Sequence, residues 1–251
     1  MKRTTSFWLR LMSAVSLVGI LLVVSLNVRQ KDHVAEQPAS HVATPSQPVQ
    51  RRYTEEELKR FWNDQCKVVE EFVLHGQFRV PELSERYHTL HALVVERYHS
   101  SFRANWVMDY DPASVDTITG CSVKDGAPQI EVMLAKAADL SIEYRARGDR
   151  QWKERLENSL VVGILHELDH LTCEGATPPA QQPPFDVRVE AERRAWAQTC
   201  EHTLRVLIER YNAPLGTSEE LYYLKWVNAG RNLDSPQWIE AMREAYGSLR
   251  R

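Results

Sequence analysis

The chain has no large excess of charge of either sign. Its 31 Lys and Arg against 34 Asp and Glu leave a formal net charge of −3. Without a strong basic field there is no general attraction to phosphate backbones, and a nucleic-acid partner is excluded on that ground. No two of the four cysteines, Cys66, Cys121, Cys173 and Cys200, are spaced C-x-x-C, so a cysteine-based structural zinc site is not expected. There is no internal repeat. What remains is a 251-residue chain, 43% hydrophobic and 26% charged, long enough to bury one good core.

The apolar residues are unevenly spread. Lys2, Arg3 and Arg10 precede an uncharged run from Leu11 to Val28. At about 18 residues this run is near the minimum for a helix that crosses a bilayer. No small-residue cleavage site follows it, which favours an uncleaved anchor over a removed signal. Three basic residues and the amino terminus lie before the span, against Arg29 and Lys31 after it. This bias places the N-terminus in the cytoplasm and the remainder on the extracytoplasmic side, as a single-pass membrane protein. The expected organisation is a cytoplasmic n-region and transmembrane anchor over 1–28, a disordered linker over 29–52 rich in Pro, Ser, Gln and Ala, and a folded domain over 53–251. In an oxidising compartment the four cysteines would form one or two disulfides, with a pairing the sequence does not specify.

Thr54 and Glu57 form a capping-box pattern, and Leu58, Phe61, Trp62, Val69, Phe72 and Val73 keep helical spacing up to Gly76. A second helix is predicted over about 82–100, carrying His88 and His91 as ordinary surface or satisfied core histidines. NWVMDYDP reads as a short strand ending in a turn, and APQIEVML alternates as a strand. Helices over about 152–171 and 187–211 flank the loop CEGATPPAQQPPFD, and shorter helices follow near 221–227 and 236–246. The fold class is α+β, mostly helical and poor in strands.

Within the first of those flanking helices, VVGILHELDH places His166 and His170 four positions apart, with Glu167 beside the first. Residues four apart lie one above the other on a helix, so both imidazoles can address one ion. Zinc held by two imidazoles and a carboxylate keeps a fourth position for water, whose pKa falls toward about 7. Glu167 can then serve as general base. The aliphatic run ahead of the motif buries this helix, where unpartnered histidines with Glu167 and Asp169 would be costly.

HELDH resembles the HExxH of the zincin metallopeptidases, specifically the branch whose third ligand is a glutamate on a later helix. The branch with a third histidine is excluded, since Cys173 and Ala176 stand at the relevant positions. The resemblance implies a zincin-like core with a short sheet beside the HExxH helix, a Zn2+ cofactor, a peptide or protein substrate, and a third ligand from VRVEAERRAWAQTCEHTL. Two glutamates there compete, and Glu192 is the expected ligand. Glu192 shares an apolar stripe with Val189, Trp196, Cys200, Thr203 and Leu207, and Ala195 supplies the small residue commonly found three after the ligand. Glu190 fits the thermolysin-like spacing of about twenty residues after the second histidine and shares its face with Arg194, Ala197 and Glu201. The acidic residue that often follows four after the ligand, to orient the histidines, is missing. The resemblance further implies that QIEVML is an exposed edge strand pairing with extended substrate, and that an oxyanion donor exists among His202, Tyr211, Tyr222 and Tyr223.

Two other readings compete. HELDHL also resembles the HExDHL of peptide deformylases, with Cys121 in TGCSV as a metal ligand, although the Gly-rich GxGLAAxQ segment of that family is absent. The non-enzymatic reading is an envelope zinc-binding or scaffold module, for which Cys173 would close the metal site as a fourth ligand.

Overall fold

The computed structural model describes residues 53–107, 118–173 and 184–247. The anchor and linker expected over 1–52 and most of the loop after Cys173 lie outside the described residues. Among the described residues, no helix is long and apolar enough to cross a membrane.

The first helical arm comprises α1 (Glu55–Phe61), a π-type turn (Trp62–Cys66) and α2 (Lys67–His75). The Thr54 hydroxyl accepts from the Glu57 amide at 3.2 Å, and the Thr54 amide donates back to the Glu57 carboxylate at 2.8 Å, so the capping box is complete. Gly76 ends α2 at φ +61°, where a Cβ would meet Tyr87 and His88 at under 3 Å. Helix α3 (Pro81–Tyr98) opens on proline, which lacks the amide that a first helical turn cannot use, and buries Leu83, Tyr87, Leu90 and Val94. His88 and His91 sit on α3, where His91 stacks on Tyr87 and its Nε2 lies 2.8 Å from the Ser101 hydroxyl.

Strands β1 (Arg103–Val107), β2 (Thr119–Lys124) and β3 (Ala127–Met133) form one sheet in the order β1-β3-β2. Strand β1 runs parallel to β3, and β2 antiparallel to it. Lys124 pairs with Ala127 across Asp125 and Gly126, both at positive φ, a two-residue turn whose twist suits a hairpin. The register puts Thr119 opposite Val132 and Cys121 opposite Ile130, so all four share the face that packs on the helices. QIEVML is therefore the central strand, occupied on both sides, and the expectation of a substrate-binding edge there is corrected. The edge strand against the motif helix is β2.

Helix α4 (Leu134–Ala146) leads to the central helix α5 (Trp152–Thr172), which contacts α3, α4, β2 and β3. From Leu160 onward almost every α5 residue is buried, so the aliphatic run lines the core. Its neighbour α6 (Phe185–Thr199) continues through π-type turns at Cys200–Leu204 and Val206–Arg210, then α7 (Thr217–Asn228) and α8 (Pro236–Gly247) close the order. Helix α6 lies against α5 and also against α8. Trp238 of α8 is fully buried, edge-on to Trp226 of α7, and its indole donates to the Arg193 carbonyl of α6 at 3.2 Å.

None of the four cysteines is in a disulfide, which corrects the expectation of one or two. Each belongs to a different element or boundary: Cys66 and Cys200 are wholly buried, each in its own π-type segment, Cys121 lies on β2 and Cys173 follows α5.

Candidate metal centre

The last two turns of α5 carry His166 and His170, with ring centroids 4.7 Å apart and planes at 83°. Helix α6 brings Glu192 to them. Its Oε2 lies 3.4 Å from His166 Nε2 and 3.3 Å from His170 Nε2. Among the described residues, these three are the one group of histidine, cysteine and acidic side chains able to offer converging donor atoms, all within 4.8 Å. The histidine side chains are nearly closed to solvent while that of Glu192 is a quarter exposed, so the cluster opens on the Glu192 side. Burial by itself would raise the Glu192 carboxyl, but the facing His170 and His166 hold it below the ordinary carboxylate range.

The separations fit a metal better than a hydrogen bond. Charge-assisted N–H···O contacts close to about 2.7 to 2.9 Å. A tetrahedral ion with bonds of about 2.0 to 2.1 Å instead holds its ligand atoms about 3.3 to 3.4 Å apart. Both nitrogen–oxygen distances have that second value.

Glu190 is turned elsewhere. Its carboxylate accepts two bonds from Arg193, each at 2.7 Å, and one from Arg194 at 2.6 Å. Arg193 also donates to the Leu233 carbonyl, tying this pair to the turn before α8.

Behind His166 lies a chain of polar groups assembled from three helices. His166 Nδ1 is 3.2 Å from the Thr199 hydroxyl, at the end of α6. Thr199 Oγ1 is 2.8 Å from Asp169 Oδ2 and 3.0 Å from the Ala195 carbonyl. Arg86 of α3 donates to Asp169 Oδ1 at 2.5 Å. Asp169 is buried, which drives its carboxyl up, with Arg86, Thr199 and His166 opposing. The acidic group missing from α6 is thus supplied by the motif itself, through a hydroxyl.

Glu167 is buried and faces β2. Thr119 donates to its Oε1 at 3.0 Å, and the Cys121 thiol hydrogen-bonds to the same carboxylate. This close approach requires Gly163, because a Cβ there would meet two Thr119 side-chain atoms at 2.8 Å. Burial first, then the Glu167 charge, pushes the Cys121 thiol well up. Cys121 is therefore a partner of Glu167 and stands outside the converging group, as does Cys173.

Of the four donors considered for an oxyanion, Tyr222 borders the cluster, stacked on Trp196 at 4.1 Å, and Trp196 in turn lies 4.2 Å from the His166 ring. Tyr211 and Tyr223 donate to Glu82 and Glu209, both at 2.6 Å. His202 lies beside Arg86 and Asp169, with its pKa lowered by burial and then by Arg86. A residue that sequence reasoning missed reaches the cluster from α8: the Tyr246 hydroxyl accepts from Trp196 Nε1 at 2.9 Å and donates to Glu192 Oε2 at 2.7 Å. Burial and the Glu192 charge hold its phenol well above the ordinary range, so it remains a donor.

Comparison with known protein families, curated proteins and solved structures gives no match.

Proposed function

We propose that the chain is a zinc-dependent peptidase of zincin-like design, with His166, His170 and Glu192 as metal ligands and Glu167 as general base. The observation that carries this reading is the pair of 3.3 and 3.4 Å separations between the imidazole Nε2 atoms and Glu192 Oε2. The uncharged run at 11–28 supports anchorage in a membrane with this domain on the extracytoplasmic side.

Zinc held by this donor set supplies a water of lowered pKa and a Lewis-acidic contact for a carbonyl oxygen. Glu167, kept in place by Thr119 and Cys121, takes one proton from the attacking water at its carboxylate. The oxygen of that water joins the carbonyl carbon, the C–N bond breaks, and Glu167 returns the proton to the leaving amine. Tyr222, which stacks on Trp196 beside the cluster, is the phenol placed to donate to an oxyanion, since Tyr246 already gives its one proton to Glu192 Oε2. The outer edge of β2, unpaired among the described residues, offers backbone groups to an extended substrate next to Glu167.

The test is zinc content and peptide hydrolysis of the full-length chain and of Glu167→Gln. The expected result is one equivalent of zinc in both proteins, with hydrolysis lowered roughly 10²- to 10⁴-fold in the variant. Zinc in both and hydrolysis in neither would support the scaffold module instead. Zinc lost on Cys121→Ser but kept on Glu192→Gln would support the deformylase-like arrangement.

A further inference from the structure

We infer that Thr199, with Asp169 behind it, is a positioning residue that fixes His166 as its Nδ1–H tautomer and so presents a bare Nε2 lone pair toward Glu192. The metal reading above gives this tautomer its purpose, but the tautomer itself follows from counting protons along the chain of contacts. A threonine hydroxyl has one proton. Two acceptors surround Thr199 Oγ1, Asp169 Oδ2 at 2.8 Å and the Ala195 carbonyl at 3.0 Å. Whichever takes the proton, none is left for His166 Nδ1 at 3.2 Å, so that nitrogen must be the donor and Oγ1 the acceptor. The carboxylate wins the competition, since a charged acceptor binds more strongly and Arg86 holds Asp169 in place at 2.5 Å.

The consequence appears on the other side of the ring. A neutral imidazole with its proton on Nδ1 has a lone pair on Nε2, and that lone pair faces a carboxylate oxygen 3.4 Å away. In many metal sites a carboxylate touches the ligating histidine directly. Here the acidic group comes from within HELDH, and the hydroxyl of the neighbouring helix carries its influence to the ring. The handover from α6 to its first π-type turn follows Thr199 directly, so this position sits where the helix changes pitch.

The experiment compares the full-length wild type with Thr199→Val and Thr199→Ser. Two quantities are read: the His166 tautomer from nitrogen-15 shifts of chelator-washed protein at about pH 8, above the ordinary histidine range, and zinc affinity by competition with a chelator. The wild type is expected to show Nδ1–H. Thr199→Val removes the acceptor, so His166 moves its proton to Nε2 and donates to Glu192, and zinc affinity falls roughly 10- to 100-fold. Thr199→Ser restores both values. An Nε2–H signal in the wild type would overturn the inference, even if Thr199→Val does not fold. So would wild-type shifts and zinc affinity in Thr199→Val. An Nδ1–H signal lost in Thr199→Val, in a wild type that takes up no zinc, would sustain the relay and overturn the metal reading. Tight zinc binding that ignores Thr199 would do the reverse.

Discussion

Glu190 and Glu192 are two residues apart on α6, yet one is held by arginines and the other by imidazoles. Arg193 first, against a smaller desolvation cost, and then Arg194 keep the Glu190 carboxyl below its ordinary range. Replacing it as Glu190→Gln should leave zinc content unchanged but lower the urea midpoint, because it takes the countercharge from Arg193, whose side chain is only 7% exposed. Glu192→Gln should lose zinc under the same conditions, and metal analysis of the two variants side by side checks both statements. This separation was legible in the sequence, since a step of two residues rotates a helix by about 200° and only one glutamate can share the apolar stripe. The groups that hold the site were not. Arg86, Thr119, Thr199 and Tyr246 lie far along the chain from the motif, and no periodicity links a hydroxyl to the ring it will meet. Asp169 was visible inside HELDH as a costly buried charge, but its two partners were not.

At the scale of elements, β2 meets α5 at Gly163. Placing a methyl there would drive Thr119 off the helix and loosen its bond to Glu167. Gly163→Ala is expected to destabilise the fold by about 1 to 3 kcal/mol in urea titrations, as overpacking does elsewhere, and to lower peptide hydrolysis while zinc content is kept. The strand itself was missed in TGCSVK, although the Asp125-Gly126 turn that ends it was a usable hairpin signal. Pro128 near the start of β3 lacks an amide to give to a neighbouring strand. The structure tolerates it in the centre of the sheet because it lies one residue from the strand's start, opposite Val123. Helix α4 went unread for a different reason. Its buried residues include Ala135, Ala137, Ala138 and Ser141, small side chains that blur the apolar stripe on which helix recognition depends. The remaining helices, with larger buried side chains, were recognised to within a few residues, and the stretch read over about 187–211 spans α6 together with the two π-type turns that continue it.

For the molecule as a whole, the balance of stability with pH contains several carboxyls that work against the ionised state, Asp169 and Glu219 among them. Glu219, in the first turn of α7, is buried and sits against Tyr144 and Gly216. Burial, against the Ser159 hydrogen bond, raises its pKa above 4.5. The folded chain therefore binds a proton that the unfolded chain has released, and stability falls as pH rises from about 4.5 through the folded value. Glu219→Gln should remove this loss, so its gain in urea midpoint over the wild type should be larger at about pH 7 than at about pH 4.5. An equal gain at both pH values would contradict the assignment. As the proposed ligands, the three clustered side chains have a last effect of this global kind. Because α5 supplies two of them and α6 the third, an ion seated there adds a cross-link between two long segments already joined by packing and by the Thr199 hydroxyl. Zinc at about a thousandfold excess over its dissociation constant should add about 4 kcal/mol to folding. A thermal melt with and without chelator would then read the occupancy of the site from the heat resistance of the entire domain.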